Sequence, residues 1–315
     1  MRRLIMGVLL AAALVPVRAA AFDIEGHRGA RGLAPENTLA AFRRALALRV
    51  TTIETDLAVT RDDVVVISHN PRLNPDITRD ADGKFLAAEG PAIRTLTAAA
   101  LSRYDIGRVD AQSAYAKQVP DQQPVDGEHF PTLDALLDLA RHADYPVRLN
   151  VETKLSPDLP GDAPDPESFA ARVIERVQAA GLTERVTLQS FDWRTLLAAK
   201  RIAPALRTAC LTIETANTNN VASRGGRASP WTAGLDLSAF DASVPRLVHA
   251  AGCAVWSPFY RNATATRIAE AHALGLEVLP WTVNDVAEMK RLIAAGVDGI
   301  ISDYPDRLRA LVDAR

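Results

Sequence analysis

Short apolar runs alternate with amphipathic helical patterns along most of this sequence, and this alternation is the feature that most restricts the fold. Eight apolar runs predict buried strands: residues 22–27, 52–59, 147–153, 185–191, 207–213, 253–258, 277–283 and 299–303. The clearest helical patterns between them are residues 36–48, 132–143, 167–180 and 286–295. Strands separated by helices pair in parallel. Eight such units predict an α/β fold, a (β/α)8 TIM barrel.

Two long segments interrupt the alternation. Residues 70–130 follow the second predicted strand and are rich in Pro, Asp, Gly and Gln, whereas residues 213–240 follow the fifth and are rich in Thr, Asn, Gly and Ser. Both would leave the C-terminal ends of strands, where barrel active sites lie, so we expect both to border a substrate cleft. Surface insertions without a role are the alternative. We predict one domain over residues 21–315, with an insertion at about 70–130.

The start of the chain has the three-part pattern of a secretory signal peptide. Arg2 and Arg3 precede an apolar run over residues 4–17, and small residues follow at 19–21. The run is shorter than the ~20 residues of a membrane span, so we expect removal of residues 1–20 rather than a retained anchor. The mature protein would then be exported, either periplasmic or secreted.

Charge and hydropathy restrict the partners of the predicted mature chain. Loss of the three arginines in residues 1–20 would change the net charge from −2 to −5. A mildly acidic protein is a poor candidate for binding nucleic acid, and no later segment of the sequence has the apolar length of a membrane span. We therefore expect a small-molecule partner, while the sequence is silent on oligomeric state.

Two cysteines, Cys210 and Cys253, have a spacing that fits no zinc motif. Export would permit a disulfide. We favour two small buried residues that are not bonded to each other, with a bridge between them as the alternative.

Charged or polar side chains stand at the ends of the predicted strands. They include His27, Arg28, Glu54, Asp56, His69, Glu152, Lys154, Gln189, Trp281 and Asp303. Glu54 and Asp56 are two residues apart on a strand and therefore face the same way, as do Glu152 and Lys154. Three carboxylates meeting at the barrel mouth would repel one another unless a hard divalent cation joined them. A solvated strand edge is the alternative for Glu54 and Asp56 taken alone.

The cations and histidines at the same strand ends suggest phosphate chemistry. Arg28 and Lys154 either balance the acidic cluster or, together with a metal, hold a phosphate. Breaking a phosphodiester needs a base for the attacking oxygen and an acid for the leaving one. His27 and His69 are suited to both tasks because the pKa of histidine is near neutrality.

These residues resemble the glycerophosphodiester phosphodiesterase family. The matching elements, in chain order, are HRG at 27–29, PENT at 35–38, E-x-D at 54–56, HN at 69–70, E-x-K at 152–154, SF at 190–191, WTVN at 281–284 and GVDGIISDYP at 296–305. The resemblance implies a barrel with an insertion after the second strand. It also implies metal-dependent hydrolysis of glycerophosphodiesters to sn-glycerol 3-phosphate and an alcohol by His acid/base catalysis.

The resemblance also implies roles for individual residues. Glu54, Asp56 and Glu152 would bind calcium or magnesium, His27 and His69 would act as acid and base, and Arg28 and Lys154 would bind the phosphate. Trp281 and Gln189 are candidates for the substrate pocket. In the family the attacking group is the glycerol 2-hydroxyl, which gives a cyclic phosphate that water opens. Which histidine is the base stays open.

One position departs from the family pattern. Asn70 follows His69, where the family usually has Asp. An amide can orient the imidazole by a hydrogen bond but adds no charge, so metal affinity or the pH optimum is expected to differ.

Two other functions remain as alternatives. A phosphodiesterase on the same barrel could act on phosphatidylinositol or a sphingomyelin-type lipid, although no apolar or basic amphipathic segment suggests membrane contact. An exported binding protein could capture glycerophosphodiesters without cleaving them, although pure binding does not need two histidines beside a metal.

Overall fold

A computed structural model describes residues 22–314, in which eight parallel strands form a barrel. The strands are β1 (Asp23–Gly26), β2 (Thr52–Val59), β4 (Arg148–Thr153), β5 (Val186–Ser190), β6 (Arg207–Thr212), β7 (Val255–Pro258), β8 (Glu277–Val278) and β9 (Gly299–Ser302). The short β3 (Val65–Ile67) pairs antiparallel with β2. Neighbouring strands follow the order β8-β7-β6-β5-β4-β2-β1-β9, which confirms the predicted (β/α)8 TIM barrel.

The ring closes between β8 and β9 through backbone hydrogen bonds. The Ile301 N–H donates to the Pro280 carbonyl at 3.0 Å, and the Asp298 N–H donates to the Val278 carbonyl at 3.1 Å. The strand predicted over residues 277–283 is therefore shorter than expected. Pro280 has no N–H to donate to a ladder, so regular pairing stops before it.

Helices cover the outside of the barrel, and one short helix lies in the irregular segment after β3. They are α1 (Leu39–Ala47), α2 (Ala98–Leu101), α3 (Leu133–Arg141), α4 (Pro166–Ala179), α5 (Trp193–Ile202), α6 (Val244–Ala251), α7 (Ala265–Ala273), α8 (Val286–Ala294) and α9 (Pro305–Asp313). All four helices named from the sequence are present. The first begins at Leu39 instead of residue 36 because the Thr38 hydroxyl accepts a hydrogen bond from the Ala41 N–H and caps the helix. Its buried face, with the fully buried Phe42, packs into the barrel core.

The two irregular segments lie at the C-terminal ends of strands. Residues 68–132 run from β3 to α3 and pack their own apolar cluster, which includes Leu73, Ile93 and Leu101, against Ala58 and Val66. Residues 213–243 run from β6 to α6 and contain two 3-10 turns. The predicted signal peptide lies outside the described residues. Within residues 22–314, the helices all fall short of the length and apolarity that crossing a membrane requires.

Cys210 on β6 and Cys253, just before β7, form a disulfide with their Cα atoms 5.9 Å apart. The favoured expectation of two unbonded cysteines is wrong. The parallel pairing of β6 with β7 brings the two segments together, and Gly252, in a left-handed conformation, ends α6 directly before Cys253. Both cysteines are buried.

Candidate active site

Three carboxylates meet inside the mouth of the barrel. Glu54 and Asp56 project from β2, and Glu152 projects from β4, where it pairs directly with Asp56. All three are buried, and one oxygen from each lies within 4.8 Å of the others. Among residues 22–314 no other group of His, Cys, Asp or Glu side chains converges in this way. Oxygen donors at this spacing suit a hard divalent cation.

The proximity of these carboxylates changes their pKa values in different directions. Burial and the adjacent Asp56 raise the pKa of Glu54 well above its ordinary value. Burial, with Asp56 adding to it, raises the pKa of Glu152 to about 7. Burial also acts against ionisation of Asp56, but His69, Lys154 and Arg28 together lower its pKa. Negative charge is therefore crowded here, and a divalent cation would favour the ionised form of all three groups.

Amide groups orient the carboxylates. The Asn37 Nδ2 donates to Asp56 Oδ2 at 2.9 Å, and the Thr55 hydroxyl donates to Asn37 Oδ1 at 2.8 Å. The Gln189 Nε2 donates to Glu54 Oε1 at 2.8 Å. Asn37 takes a left-handed backbone conformation (φ 57°), which asparagine tolerates better than most residues. Segment 35–38 thus starts α1 and also supports the acidic cluster.

Two cations lie beside the acidic cluster. The Lys154 Nζ is 2.8 Å from Glu152 Oε1 and 3.7 Å from Asp56 Oδ1. The Arg28 Nε is 3.3 Å from Asp56 Oδ2, and the Arg28 backbone N–H donates to Glu54 Oε2 at 2.8 Å. Arg28 has φ 49°, in the left-handed region. A non-glycine residue there is costly unless its surroundings fix it, and these contacts fix it against the acidic cluster.

The two predicted histidines have different partners. The His27 Nδ1 lies 2.6 Å from Asp303 Oδ1, while the His69 Nδ1 lies 3.3 Å from Asn70 Oδ1. Burial lowers the pKa of both rings, with Asp303 opposing this effect at His27 and with Arg28 and Lys154 adding to it at His69. Both shifts favour the neutral form of the imidazole. With Nδ1 engaged, Nε2 is the ring nitrogen left for a substrate.

A wider network supports this constellation. Asp303 also accepts hydrogen bonds from Arg31 at 2.9 Å and from Asn284 at 2.7 Å. The Tyr115 hydroxyl, from the segment after β3, accepts a hydrogen bond from Arg31 at 2.8 Å and donates to Glu36. The sequence places Asp303 at a strand end and Asn284 and Glu36 within the matched elements, but it does not reveal their supporting contacts or the part played by Arg31 and Tyr115. The only signal was the number of charges within residues 27–38, which include Arg31 and Glu36.

One cavity of about 90 Å³, called the small cavity below, brings all the predicted site residues together. Its lining includes His27, Arg28, Glu54, Asp56, His69, Glu152, Lys154, Gln189 and Trp281. Phe191 also lines it and packs edge-on against Trp281, with ring centroids 5.3 Å apart. Gln189 lines the small cavity, and its side-chain amide contacts the carboxylate of Glu54.

Comparison with known proteins agrees with this constellation. The glycerophosphoryl diester phosphodiesterase family matches residues 27–307. The chain belongs to this family. A glycerophosphodiester phosphodiesterase of Caldanaerobacter subterraneus subsp. tengcongensis is 29% identical over 91% of this chain and 96% of its own length. One from Bacillus subtilis is 27% identical over 89% of this chain and 83% of its own length. The family consists of phosphoric diester hydrolases.

Solved structures share the fold. The crystal structure of a candidate glycerophosphoryl diester phosphodiesterase from Silicibacter pomeroyi DSS-3 is 34% identical, covers 94% of this chain and 95% of its own, and superposes with a TM-score of 0.82. A phosphodiesterase of Oleispira antarctica, solved with the product sn-glycerol-3-phosphate, is 22% identical, with coverages of 92% and 96% and a TM-score of 0.66.

Proposed function

We propose that this member of the family hydrolyses glycerophosphodiesters to sn-glycerol 3-phosphate and an alcohol, with a divalent cation and with His27 and His69 as acid and base. The observation that carries the proposal is the small cavity, because three carboxylates, two cations and two imidazoles line the same space. The family match and the product bound to the Oleispira relative support the choice of substrate.

Glu54, Asp56 and Glu152 would hold the cation, which is calcium or magnesium because both prefer oxygen ligands. When bound, the cation supplies positive charge that stabilises negative charge developing on the phosphate. Arg28 offers a planar pair of donors to phosphate oxygens, and Lys154 offers a compact charge. Each contacts carboxylates of the site, which supports assigning both to a phosphate held beside the cation.

The imidazoles would move the protons. One takes the proton of the attacking glycerol 2-hydroxyl, and the other gives a proton to the oxygen of the departing alcohol. The resulting cyclic phosphate is then opened by water. Asp303 fixes the His27 ring through Nδ1 and stabilises its imidazolium form. His69 has a neutral amide in the corresponding place, so the two rings differ in how readily they hold a proton.

Purified protein stripped with a chelator tests this proposal. Release of glycerol 3-phosphate from glycerophosphocholine is measured with calcium, with magnesium and without metal, for the wild type, His27→Ala and His142→Ala. The His142 side chain is exposed on α3's C-terminal cap, so it is the matched histidine control. We expect metal-dependent release that His27→Ala lowers by roughly 10²–10⁴-fold and His142→Ala leaves unchanged. A folded protein that binds this diester without cleaving it would contradict the proposal.

We also propose that the mature chain acts outside the cytoplasm, as a periplasmic or secreted protein. The signal-peptide pattern of residues 1–20 supports this, and the Cys210–Cys253 disulfide is suited to an oxidising compartment. Sequencing the amino terminus of the exported protein tests it. A terminus that still begins at Met1 would contradict it.

A further inference from the structure

A second cavity of about 420 Å³, called the large cavity below, opens beside the small cavity. Both cavities share Glu152, Lys154 and Phe191 in their linings. A substrate with its phosphate beside Lys154 would therefore extend one of its two ester groups into the large cavity. Glycerol must lie close to the histidines if its 2-hydroxyl attacks, so the other group, the alcohol, is the one that extends.

Two loops build the walls of the large cavity. Residues 155–163, which follow β4, contribute Leu155 and Leu159, and the segment after β6 contributes Ile213 and Trp231. Leu159 is 57% exposed, although it belongs to a residue type usually found inside proteins. With Phe191 at the junction between the cavities, most of the exposed wall surface is apolar, while residues 217–220 contribute amide and hydroxyl groups.

The carboxylates in this lining are already paired. Asp162 accepts two hydrogen bonds from Arg72, both at 2.8 Å. Asp158 lies 3.8 Å from Arg224, and Glu152 lies 2.8 Å from Lys154. No carboxylate of the described lining is therefore left without a cation.

The aromatic face at the junction is also occupied by a cation. The Lys154 Nζ lies 5.9 Å from the centroid of the Phe191 ring. A quaternary ammonium group is normally recognised by free aromatic faces. Here Lys154 would repel such a group at Phe191, which leaves the Trp231 ring as its remaining aromatic contact.

We propose that the large cavity binds the alcohol part of the substrate and selects an uncharged alcohol with an apolar chain or ring over choline or ethanolamine. This inference rests on the proposed function. The volume supports it, since cavities of ~300–1,000 Å³ hold drug-sized ligands. A choline or ethanolamine group would leave much of the space unfilled.

Three synthetic diesters of glycerol 3-phosphate test the inference, with ethanol, 1-hexanol or choline as the alcohol. Ethanol and hexanol are primary alcohols of similar basicity, so a difference between them reports binding of the chain. We expect kcat/KM with the metal-loaded protein to be at least roughly tenfold higher for the hexanol diester than for the ethanol diester. We expect the choline diester to be no better than the ethanol diester.

Variants locate the effect. Leu159→Ala and Trp231→Ala are each expected to reduce the hexanol-to-ethanol ratio by a factor of about three or more. Leu159 is on an exposed loop, so its truncation leaves the fold intact. Ile202→Ala is the matched control, because Ile202 is 40% exposed at the end of α5 and does not line the large cavity. Its ratio should equal that of the wild type.

Each outcome has a distinct meaning. Equal rates for ethanol and hexanol, or a preference for choline, would overturn the alcohol-pocket inference and leave the proposed function standing. A wild-type ratio in both cavity variants would also overturn it. If folded, metal-loaded protein cleaved none of the three diesters, the proposed function itself would fail, and the inference with it.

Discussion

Both ends of the barrel contain buried carboxylates, but the two sets are arranged differently. At the amino-terminal ends of the strands, Asp23 accepts hydrogen bonds from the Thr51 and Thr52 hydroxyls and pairs with Arg148 at 2.7 Å. At the carboxyl-terminal ends, Glu54, Asp56 and Glu152 face one another within 4.8 Å. Each set lines a cavity of about 90 Å³. Asp23 is matched by an arginine and two hydroxyls of the protein itself, whereas Glu54, Asp56 and Glu152 form a cluster of three carboxylates.

This difference separates a structural role from a functional one. A buried carboxylate with its own donors stabilises the place where strands meet. Three carboxylates within 4.8 Å of one another hold their combined negative charge more readily when a divalent cation joins them. Burial and charge do not distinguish the two ends of the barrel. The distinguishing feature is which groups the carboxylate oxygens contact.

The largest expected effect comes from exchanging one carboxylate at each end for its amide. Asp56→Asn removes a proposed metal ligand, so kcat/KM should fall by roughly 10²–10⁴-fold. Asp23→Asn should leave kcat/KM within about threefold but lower the free energy of unfolding by about 1–3 kcal/mol, because the Arg148 pair is weakened. Glycerol 3-phosphate release and urea unfolding measure the two effects. Similar losses of activity in both variants would remove the distinction between the ends.

The acidic residues at the carboxyl-terminal end of the barrel could mostly be predicted from sequence, because a strand's period of two fixes which side chains share a face. That is why Glu54, Asp56 and Glu152 were found before the structure. Tyr115 could not be found, since its contact with Arg31 depends on the path of a long irregular segment. The Cys210–Cys253 bond depends on how β6 and β7 pair. Nothing in the local sequence of residues 155–163 indicates that they form a wall of the large cavity.

The next largest effect is expected at the partner of His27. Asp303→Asn keeps a hydrogen-bond acceptor but removes the charge that stabilises the imidazolium, so kcat/KM should fall by about 10- to 100-fold. Burial opposes ionisation of Asp303, but His27 and Arg31 lower its pKa. A carboxyl group whose pKa is lowered on folding contributes stability above its unfolded pKa of ~3.9, and that contribution is lost as pH falls through the folded value.

The stability difference between Asp303→Asn and the wild type should therefore be full at pH 7 and shrink in strong acid. Urea unfolding at a series of pH values measures it. Asp303→Glu is the control for charge, since it keeps the carboxylate and changes its reach. A difference that grows as pH falls would contradict this account of the His27–Asp303 pair.

A smaller effect, on pH dependence rather than rate, is expected at His69. Asn70→Asp would place a carboxylate beside Nδ1, where the structure has an amide oxygen at 3.3 Å. An adjacent negative charge favours the imidazolium, so the pKa of His69 should rise. If His69 must be neutral to accept a proton, the acid limb of the profile of kcat/KM against pH moves to higher pH. If it must be protonated, the basic limb moves instead.

Which of the two limbs moves would thus show whether His69 is the base or the acid. The measurement is the pH profile of glycerol 3-phosphate release at saturating metal, with Asn70→Ser as the control that shortens the side chain without adding charge. An unchanged profile in Asn70→Asp would mean that residue 70 does not tune His69.

The smallest expected effect concerns the contact between the two ends. The Asn150 Nδ2 donates to Glu25 Oε2 at 2.9 Å and to Gln189 Oε1 at 3.1 Å, and Gln189 in turn donates to Glu54. Burial, with Asp23 adding to it, raises the pKa of Glu25, and this series of hydrogen bonds runs from Glu25 to a proposed metal ligand. Asn150→Ala would free Gln189 to turn. Metal affinity, measured by titration of the stripped protein, should then weaken by up to about tenfold. The control is Asp23→Asn, which does not interrupt these hydrogen bonds and should bind metal as tightly as the wild type does. Equal metal affinity in Asn150→Ala and the wild type would mean that Glu54 is held by Gln189 and Arg28 alone, and that the two ends of the barrel are energetically independent.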